Sequence, residues 1–286
     1  MTMKRVLFST LVVLAVASLA GASDVAVDDT SEYSGTYGMK VTVTDTSPAY
    51  VETDTPSGET TYTFRFYVRP NCLTLASGNG FSLFEALDGS DNVWARVVLE
   101  QSGSDKVVKF EGRLDGGTYS TSSSTVLPPG WHLIEVTWKA GSPGSLEARI
   151  DNNAVEDLPS LSNSTGSIET ARMGAVAGVD AGTSGSLLFD DFASFRTDSV
   201  IGPVEVFGDV PTGAWFFPDV YAIYGAGVTA GCGGGNYCSY GTVNRAQMAV
   251  FILRAENVDE CSYAPPTGPG TPSFGDVNSG QWFYDW

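Results

Sequence analysis

The chain of 286 residues has one histidine and few basic side chains: 15 lysines and arginines stand against 33 aspartates and glutamates, which gives a formal net charge of −18. A surface with this excess of negative charge repels the phosphates of nucleic acids and anionic lipid headgroups. We therefore expect neither a nucleic acid nor a membrane surface among the partners of this protein.

The sequence also lacks the motifs of most catalytic sites. It has no phosphate-binding loop, dinucleotide fingerprint, nucleophile elbow or H-E-x-x-H motif. The paired-carboxylate pattern E-x-D-x-x-E of some glycosidases comes nearest at residues 52–57, where Ser57 replaces the last acid. The single histidine, His132, shares the apolar side of an alternating stretch with Ile134 and Val136, which predicts a core position. We therefore expect that the protein is not an enzyme.

Long apolar runs are missing except at the N-terminus. Residues 1–22 contain Lys4 and Arg5, an apolar stretch from Val6 to Ala20 and small residues up to Ala22. This order is typical of a secretory signal peptide, and the stretch is short for a membrane span. We expect cleavage after Ala22 and a secreted protein of the cell surface or envelope without a membrane span; the alternative is that the segment stays as an anchor.

Cysteine is scarce as well, with four in the chain, but an exported protein can form disulfides. Cys232 and Cys238 bracket the glycine-rich loop CGGGNYC and are the predicted pair. A zinc site is the less favoured alternative because His132 lies far away in the sequence. Whether Cys72 and Cys261 pair or stay free is left open by the sequence.

Alternation of apolar and polar residues marks the first two thirds of the chain. In TYTFRFYVR, at residues 61–69, every second side chain is a large apolar one. Such stretches are separated by turn sequences such as DGSD and LPPG. Ten or more short strands are expected, and they predict an all-β antiparallel jelly-roll sandwich over residues 23–198, as the first part of a multidomain chain.

Beyond Asp198 the pattern changes to a helical period. We expect a linker at 199–206 and a small α-helical unit at 207–262. A first short helix is predicted with one apolar face, formed by Phe216, Val220, Ile223 and Tyr224. A second helix is predicted to start at a capping box of Asn244 and Gln247 and to bury a stripe of Met248, Phe251, Ile252 and Ala255.

A phrase of this unit occurs twice. FGDVPTGAWFFPD, at residues 207–219, returns as FGDVNSGQWFYDW at residues 274–286, after a proline- and glycine-rich linker at 263–273. Together with AIYGAGVTAGC and NRAQMAVFILRA, these motifs resemble the surface-layer homology (SLH) repeat of bacterial envelope proteins. The resemblance implies one repeat at 207–262 and the truncated start of a second at 274–286, whose aromatic residues we expect to be poorly packed.

The SLH resemblance also implies a function and site residues. Such repeats hold cell-wall or surface-layer polysaccharide, and by position Asp209, Trp215 and Arg245 match family residues at the glycan site. A guanidinium suits an acidic sugar, and an indole face suits a sugar ring. The alternatives are that Trp215 packs in the core, that Asp209 caps the first helix and that Arg245 is a solvated charge.

The sandwich resembles laminin-G-like and concanavalin-like jelly rolls, and a carbohydrate-binding module is similar to it as well. The resemblance lies in SGTYGMKVTV, GWHLIEVTWKAGSPGSLEARIDNN and GSLLFDDFASF. It implies an unknown glycan or protein ligand.

Two groups of residues in the sandwich are candidates for binding. Strand alternation places Tyr67, Trp94 and Arg96 opposite the apolar positions, where they predict a ligand face, or packing under a loop as the alternative. Asp190 and Asp191 predict a structural calcium site through their hard oxygens, or a charge pair at a strand edge. No other cofactor is expected.

The leading hypothesis is therefore a non-catalytic exported envelope protein, anchored by SLH repeats, whose jelly roll binds or displays a ligand. The alternatives are a structural surface-layer component without a ligand and an accessory binding part of a polysaccharide-degrading enzyme.

Overall fold

The computed structural model describes residues 23–258, 261, 270–271 and 274–284. The predicted signal peptide at 1–22 lies outside these residues, as does most of the predicted linker at 263–273. The chain divides into two compact units, Met1–Val204 and Glu205–Trp286.

Strands are the regular elements of the first unit. In the described residues they are β1 (Asp24–Asp28), β2 (Gly38–Val43), β3 (Ala49–Thr53), β4 (Thr61–Arg69), β5 (Leu73–Thr74), β6 (Gly80–Leu87), β7 (Val93–Ser102), β8 (Asp105–Arg113), β9 (Tyr119–Thr121), β10 (Thr125–Val126), β11 (His132–Lys139), β12 (Gly144–Ile150), β13 (Asn153–Leu161), β14 (Thr170–Ala177) and β15 (Ser184–Phe195).

The strands pair into two antiparallel sheets. The eight-stranded sheet has the order β1-β2-β15-β4-β11-β12-β13, with β5 beside β15. The seven-stranded sheet has the order β10-β8-β7-β6-β14-β3, with β9 beside β8. One hydrophobic core contains side chains from both sheets. The predicted all-β antiparallel sandwich is confirmed, and the arrangement is consistent with a jelly roll.

The core follows from the period-two pattern. On β4, Tyr62, Phe64, Phe66 and Val68 are fully buried. The ring of Phe64 stacks on that of Phe84 from the opposite sheet, with centroids 3.9 Å apart. Burial of a large apolar side chain contributes about 1.5–3 kcal/mol, so one face of β4 is a major source of stability.

His132 is buried on β11, as the alternation predicted. Its Nδ1 lies 2.8 Å from Asp151 Oδ2 and its Nε2 lies 2.6 Å from the carbonyl oxygen of Pro128. Both partners are acceptors, so the imidazolium, with two N–H donors, fits this position. Burial opposes the charge, but the hydrogen bond and the charge of Asp151 outweigh burial and raise the pKa of His132.

The predicted linker at 199–206 is wrong over most of its length, because residues 197–204 lie along the outer face of the eight-stranded sheet. Glu135 Oε2 accepts a hydrogen bond from the amide of Gly202 at 2.7 Å, and both of its carboxylate oxygens lie 3.2 Å from the amide nitrogen of Ile201. Arg65 donates to the carbonyl oxygen of Gly202. Polar side chains of the sheet thus satisfy the backbone of this segment, which is part of the sandwich unit.

In its described residues the second unit contains two short helices, α1 (Phe217–Gly225) and α2 (Arg245–Glu256). A small hydrophobic cluster holds α1 and consists of Phe207, Val210, Phe217, Val220 and Tyr221. The predicted apolar face of α1 was partly wrong, because Ile223 is exposed while Phe217 and Tyr221 are buried. Neither α1 nor α2, the helices of the described residues, has the length and apolar character to cross a membrane.

Helix α2 begins as predicted but does not bury the predicted stripe. Asn244 and Gln247 form a reciprocal capping box, as their spacing indicated. Met248 and Ile252 are 47% and 58% exposed, whereas Val250 is buried. The stripe prediction was wrong because the buried residue of α2 is Val250, which lies outside the predicted stripe.

The charged state of His132 predicts how stability depends on pH. The raised pKa adds stability that is complete below the unfolded-state pKa of about 6.5 and is lost as the pH rises through the folded pKa. In Asp151→Asn the side-chain amide can form a hydrogen bond with a neutral imidazole but gives no charge to balance an imidazolium. Asparagine also tolerates the positive φ at this position. We expect the variant to lose about 1–3 kcal/mol relative to the wild type at pH 5.5, and much less at pH 9.

Urea unfolding at the two pH values measures this difference. Asp157→Asn, at an exposed position on β13, is the control and should unfold like the wild type at both. Equal destabilisation of Asp151→Asn at pH 5.5 and pH 9 would contradict a charged His132.

Substitution of Glu135 tests the contact with residues 197–204. Glu135 is 2% exposed, and an amide at this place would present a donor to backbone N–H groups. We expect Glu135→Gln to lower the free energy of unfolding by about 2–3 kcal/mol. Glu147→Gln, at an exposed position of the neighbouring strand β12, should have little effect. Equal unfolding midpoints for the two variants would show that the segment is not held by Glu135.

Candidate functional site

An open groove of about 320 Å³ lies on the second unit, beside α1. Its lining residues are Trp215, Phe216, Asp219, Val220, Ile223, Tyr237, Ser239 and Tyr240. The side chains of Trp215 and Tyr240 are 85% and 95% exposed. Exposed aromatic rings beside a concave surface are typical of binding sites, because a ligand that covers the apolar ring faces removes them from water.

Trp215 is therefore not a core residue, and that alternative is wrong. Its ring contacts Phe216 edge to face, with centroids 5.4 Å apart, and is otherwise open to solvent. The prediction that Trp215 contacts a glycan stays a prediction.

Asp209 holds the loop that forms one wall of the groove. Its carboxylate oxygens accept hydrogen bonds from the backbone amides of Tyr237, at 2.7 Å, and Cys238, at 2.8 Å. The amide of Tyr237, followed by that of Cys238, keeps the pKa of Asp209 below its usual value. The helix-cap alternative is wrong, because α1 has Phe216 at its N-cap position and no side-chain cap. Asp209 positions the groove loop instead.

The predicted disulfide between Cys232 and Cys238 is confirmed, and it closes the same loop. The two Cα atoms are 6.0 Å apart, and the amide of Cys232 donates to the carbonyl oxygen of Asn236. No cysteine is free in the part of the chain that the structure describes. Disulfides are typical of proteins outside the reducing cytosol.

Arg245 has no contact of this kind with the groove or its loop. It is exposed at the first position of α2 and makes no hydrogen bond or ion pair with any residue that the structure describes. It is not among the residues that line the groove. Of the three predicted glycan-site residues, Trp215 lines the groove, and Asp209 lies outside the lining but bonds the loop that carries Tyr237. The role of Arg245 stays a prediction.

Tyr67 does not belong to an exposed ligand face, so that prediction was wrong. Its ring stacks on Tyr33, with centroids 3.8 Å apart, and its hydroxyl accepts a hydrogen bond from the amide of Val204. Burial raises the pKa of Tyr67 to about 12. The alternative, packing under a loop, describes this residue, because segments distant in sequence cover the outer face of the sheet here.

Trp94 is buried too, for a local reason. The pairs Ala86–Ala95 and Leu87–Val93 leave Trp94 as the extra residue of a bulge. The bulge turns its indole into the core beside Trp138, and Nε1 donates to Asp88 at 2.8 Å. The expected face opposite the apolar positions was therefore wrong for Trp94.

A glycine makes room for this tryptophan pair. A Cβ atom on Gly166 would lie 2.8 Å from the ring of Trp94 and 2.8 Å from that of Trp138. Any larger side chain would push the two rings apart.

Of the three predicted ligand-face residues, Arg96 does lie on the outer face of its sheet. It pairs with Glu111 and stacks over the ring of Tyr119, 4.3 Å from the centroid. Tyr67 belongs to the other sheet, so the structure does not bring the three residues together.

Asp190 and Asp191 fasten a loop. Asp190 Oδ2 accepts hydrogen bonds from the amides of Tyr33 and Ser34 at 2.8 and 2.9 Å, and the hydroxyl of Ser34 donates to Asp191. Burial raises the pKa of Asp190 to about 6, although these amides favour the charged form. Among the described residues no group of three or more His, Cys, Asp and Glu side chains is placed to hold a metal ion. A cation here would have to displace the N–H and O–H donors. The two carboxylates lie on β15, between β2 and β4, and hold a loop, and the calcium site stays a prediction.

Sequence reasoning missed Tyr240, the most exposed ring of the groove. The signal that pointed to it is SYG at residues 239–241, directly after the disulfide loop. Tyr237 is half-buried against Phe207, whereas Tyr240, in the same glycine-rich loop, has no helix or strand to bury it. Such residues are candidates for contact with a ligand.

Comparisons with known proteins add little about function. No protein-family model matches the chain, and a search of curated proteins finds no match. Solved structures with similar folds include a receptor-binding domain of botulinum neurotoxin type G, at 11% identity and a TM-score of 0.43, which covers 62% of this chain and 42% of that chain. An endo-β-1,4-glucuronan lyase from the fungus Trichoderma reesei is 12% identical, with a TM-score of 0.46, and the match covers 61% of this chain and 87% of that chain. The binding domain of Paraclostridial Mosquitocidal Protein 1 is 12% identical, with a TM-score of 0.45, and the match covers 62% of this chain and 43% of that chain.

The chain spans less than half the length of the two toxin structures. At these identities and TM-scores the likeness carries no argument about a ligand or an activity. The sandwich architecture rests on its own strand pairing.

The role of Asp209 predicts a local change in backbone protection. In Asp209→Asn one of the two amides loses its carboxylate acceptor and faces an N–H donor. We expect faster amide hydrogen exchange at Tyr237 and Cys238, with unchanged exchange in α1. Asp219→Asn is the control for charge loss in the same unit. Unchanged exchange at both amides in Asp209→Asn would contradict the positioning role.

Proposed function

We propose that this is a non-catalytic, exported envelope protein whose second unit binds cell-wall or surface-layer polysaccharide. The observation that carries the proposal is the pair of exposed rings, Trp215 and Tyr240, on one groove. The SLH-like motifs, which no family model matches, agree with this function and stay part of the proposal.

The chemistry of the groove suits a sugar chain. Indole and phenol rings offer flat faces to the C–H side of a sugar, and the indole N–H and phenol O–H can pair with its hydroxyl groups. Asp219 adds a carboxylate acceptor to the lining. Arg245, exposed on α2, offers a guanidinium to an acidic sugar, which an otherwise acidic chain would repel.

The first unit contributes display or binding of a glycan or protein ligand, without chemistry of its own. Two observations support a non-catalytic sandwich. Both ring nitrogens of its histidine, His132, are engaged with Asp151 and Pro128, so the ring lacks a free nitrogen for proton transfer. In addition, the described carboxylates Asp190 and Asp191 hold a loop rather than line a cleft.

A second candidate is a structural component of a surface layer. The exposed apolar side chains Met248 and Ile252 on α2 favour this function, because they offer a surface for packing against another protein. In that case the groove residues would not affect attachment to the wall.

Variants of the two exposed rings test the main proposal. We expect Trp215→Ala and Tyr240→Ala each to weaken binding to purified cell-wall sacculi about three- to tenfold, because each removes one ring contact of about 0.5–1.5 kcal/mol. Their unfolding midpoints should equal that of the wild type, because both side chains are exposed. Tyr37→Ala, which removes an exposed ring of the first unit, is the control.

Co-sedimentation with sacculi, before and after the wall polysaccharide is stripped, measures the binding. Stripping should release the wild-type protein. Binding that survives stripping, or that is equal in the wild type and in both groove variants, would favour the structural surface-layer component.

A further inference from the structure

The groove of the second unit offers negative charge and aromatic faces but no positive charge. Its described lining contains one charged side chain, that of Asp219, and no lysine, arginine or histidine. The carboxylate is exposed, and among the described residues it takes part in no hydrogen bond or ion pair. It is therefore open to a ligand that enters the groove.

The aromatic rings of the groove attract the same charge as the carboxylate does. The face of an aromatic ring is the negative end of its quadrupole, and indole attracts cations more strongly than phenol or benzene rings do. Trp215 and Tyr240 are largely exposed, and the ring of Phe216 stands perpendicular to that of Trp215. Ring faces and carboxylate thus favour a cationic group in one groove.

The charge of the surrounding unit acts in the same direction. Residues 205–286 contain eight aspartates and glutamates and two basic residues, Arg245 and Arg254. Both arginines belong to α2, and neither lines the groove. A negative field of this kind raises the local concentration of cations and repels acidic ligands.

We propose that the groove recognises amino sugars with free, protonated amino groups in the polysaccharide. The inference rests on the proposed function and names the part of the polymer that contacts the groove. The ammonium group pairs with Asp219, while the C–H side of the sugar covers the indole of Trp215. An N-acetylated sugar has no charge for the carboxylate, and an acidic sugar is repelled by it. Arg245, outside the groove, is available to an acidic sugar elsewhere in the polymer.

The lining also separates an amino sugar from other cations. A calcium ion takes six or more oxygen ligands, and Asp219 is the one carboxylate of the lining. A lysine side chain offers an ammonium group on a narrow alkyl chain, which covers less of an indole face than a sugar ring does. The exposed faces of Trp215 and Tyr240 fit the flat side of a sugar ring.

Two oligosaccharides that differ only in N-acetylation test this selection. Titration calorimetry of the whole chain at pH 5.5 compares hexaglucosamine, whose amino groups are protonated, with chitohexaose. Salt at about 0.15 M screens exposed charges beyond about 8 Å, so acids distant from the groove contribute little. We expect the wild type to bind hexaglucosamine about tenfold more tightly than chitohexaose, or better.

Substitution of Asp219 separates the groove carboxylate from the overall charge. Asp219→Asn keeps the shape of the side chain, and we expect it to reduce the preference for hexaglucosamine to about threefold or less. Asp219→Glu retains a carboxylate and should keep most of the preference. Glu256→Gln, at an exposed position of α2, removes one charge outside the groove and should bind like the wild type. Because Asp219 lies in the first turn of α1, circular dichroism checks that the helix remains in each variant.

Sacculi distinguish a failure of this inference from a failure of the proposed function. Acetylation of the free amino groups of sacculi with acetic anhydride should weaken binding of the wild type. Binding that is lost on stripping of the polysaccharide but unaffected by acetylation would overturn the amino-sugar inference and leave the proposed function standing. Binding of hexaglucosamine without binding to sacculi would do the reverse.

Hexalysine has the same number of side-chain ammonium groups as hexaglucosamine but no sugar ring, and it should bind more weakly. Equal or tighter binding of hexalysine would assign the groove to a basic peptide and overturn the inference. So would failure of the wild type to bind hexaglucosamine, equal binding of hexaglucosamine and chitohexaose, or an equal loss of preference in Asp219→Asn and Glu256→Gln.

Discussion

One interaction recurs at four segments of this molecule that have no regular structure: a carboxylate accepts hydrogen bonds from two successive backbone amides. Asp190 holds 33–34 in this way, Glu135 holds 201–202, Asp115 holds 164–165 and Asp209 holds 237–238. Loops rich in glycine, serine and threonine have few side chains to bury, so their amides must find acceptors elsewhere. Part of the acidity of the chain is therefore structural. The lowered pKa values of Asp115 and Asp209 mean that these contacts stabilise the fold above the usual carboxylate pKa and weaken as the pH falls through the folded values.

Features of the fold that follow a local sequence pattern could be predicted, whereas contacts between residues distant in the sequence could not. The alternation in β4 and β11 predicted both the strands and their buried faces, because the sandwich core follows period two. The docking of 197–204 had no local signal, since Glu135 and Gly202 are 67 positions apart. Trp94 was misplaced because a one-residue bulge reverses the side of the sheet to which a side chain points, and no sequence period shows a bulge.

The candidate groove was predictable in part. Its tryptophan and Asp209 both stood out through the SLH resemblance, but the loop contacts of Asp209 had no sequence signal, because Tyr237 is 28 positions away. The buried faces of α1 and α2 were less predictable, because a small unit buries only part of its apolar surface. Met248 and Ile252 belong to that surface, and so do the exposed Phe274 and Trp282 of the repeated phrase, as their expected poor packing implies.

The bonds that hold residues 197–204 also decide how the chain would carry a load. A pull applied at Glu205 first meets the hydrogen bond between Val204 and Tyr67, then those of Gly202 and Ile201 to Glu135, then that of Thr197 to Thr63. Only after these contacts open in turn does the force reach β15, which lies between β2 and β4 in the eight-stranded sheet. Sequential rupture of weak bonds dissipates force over a distance, so this segment would open before a force applied at Glu205 could pull β15 out of the sheet.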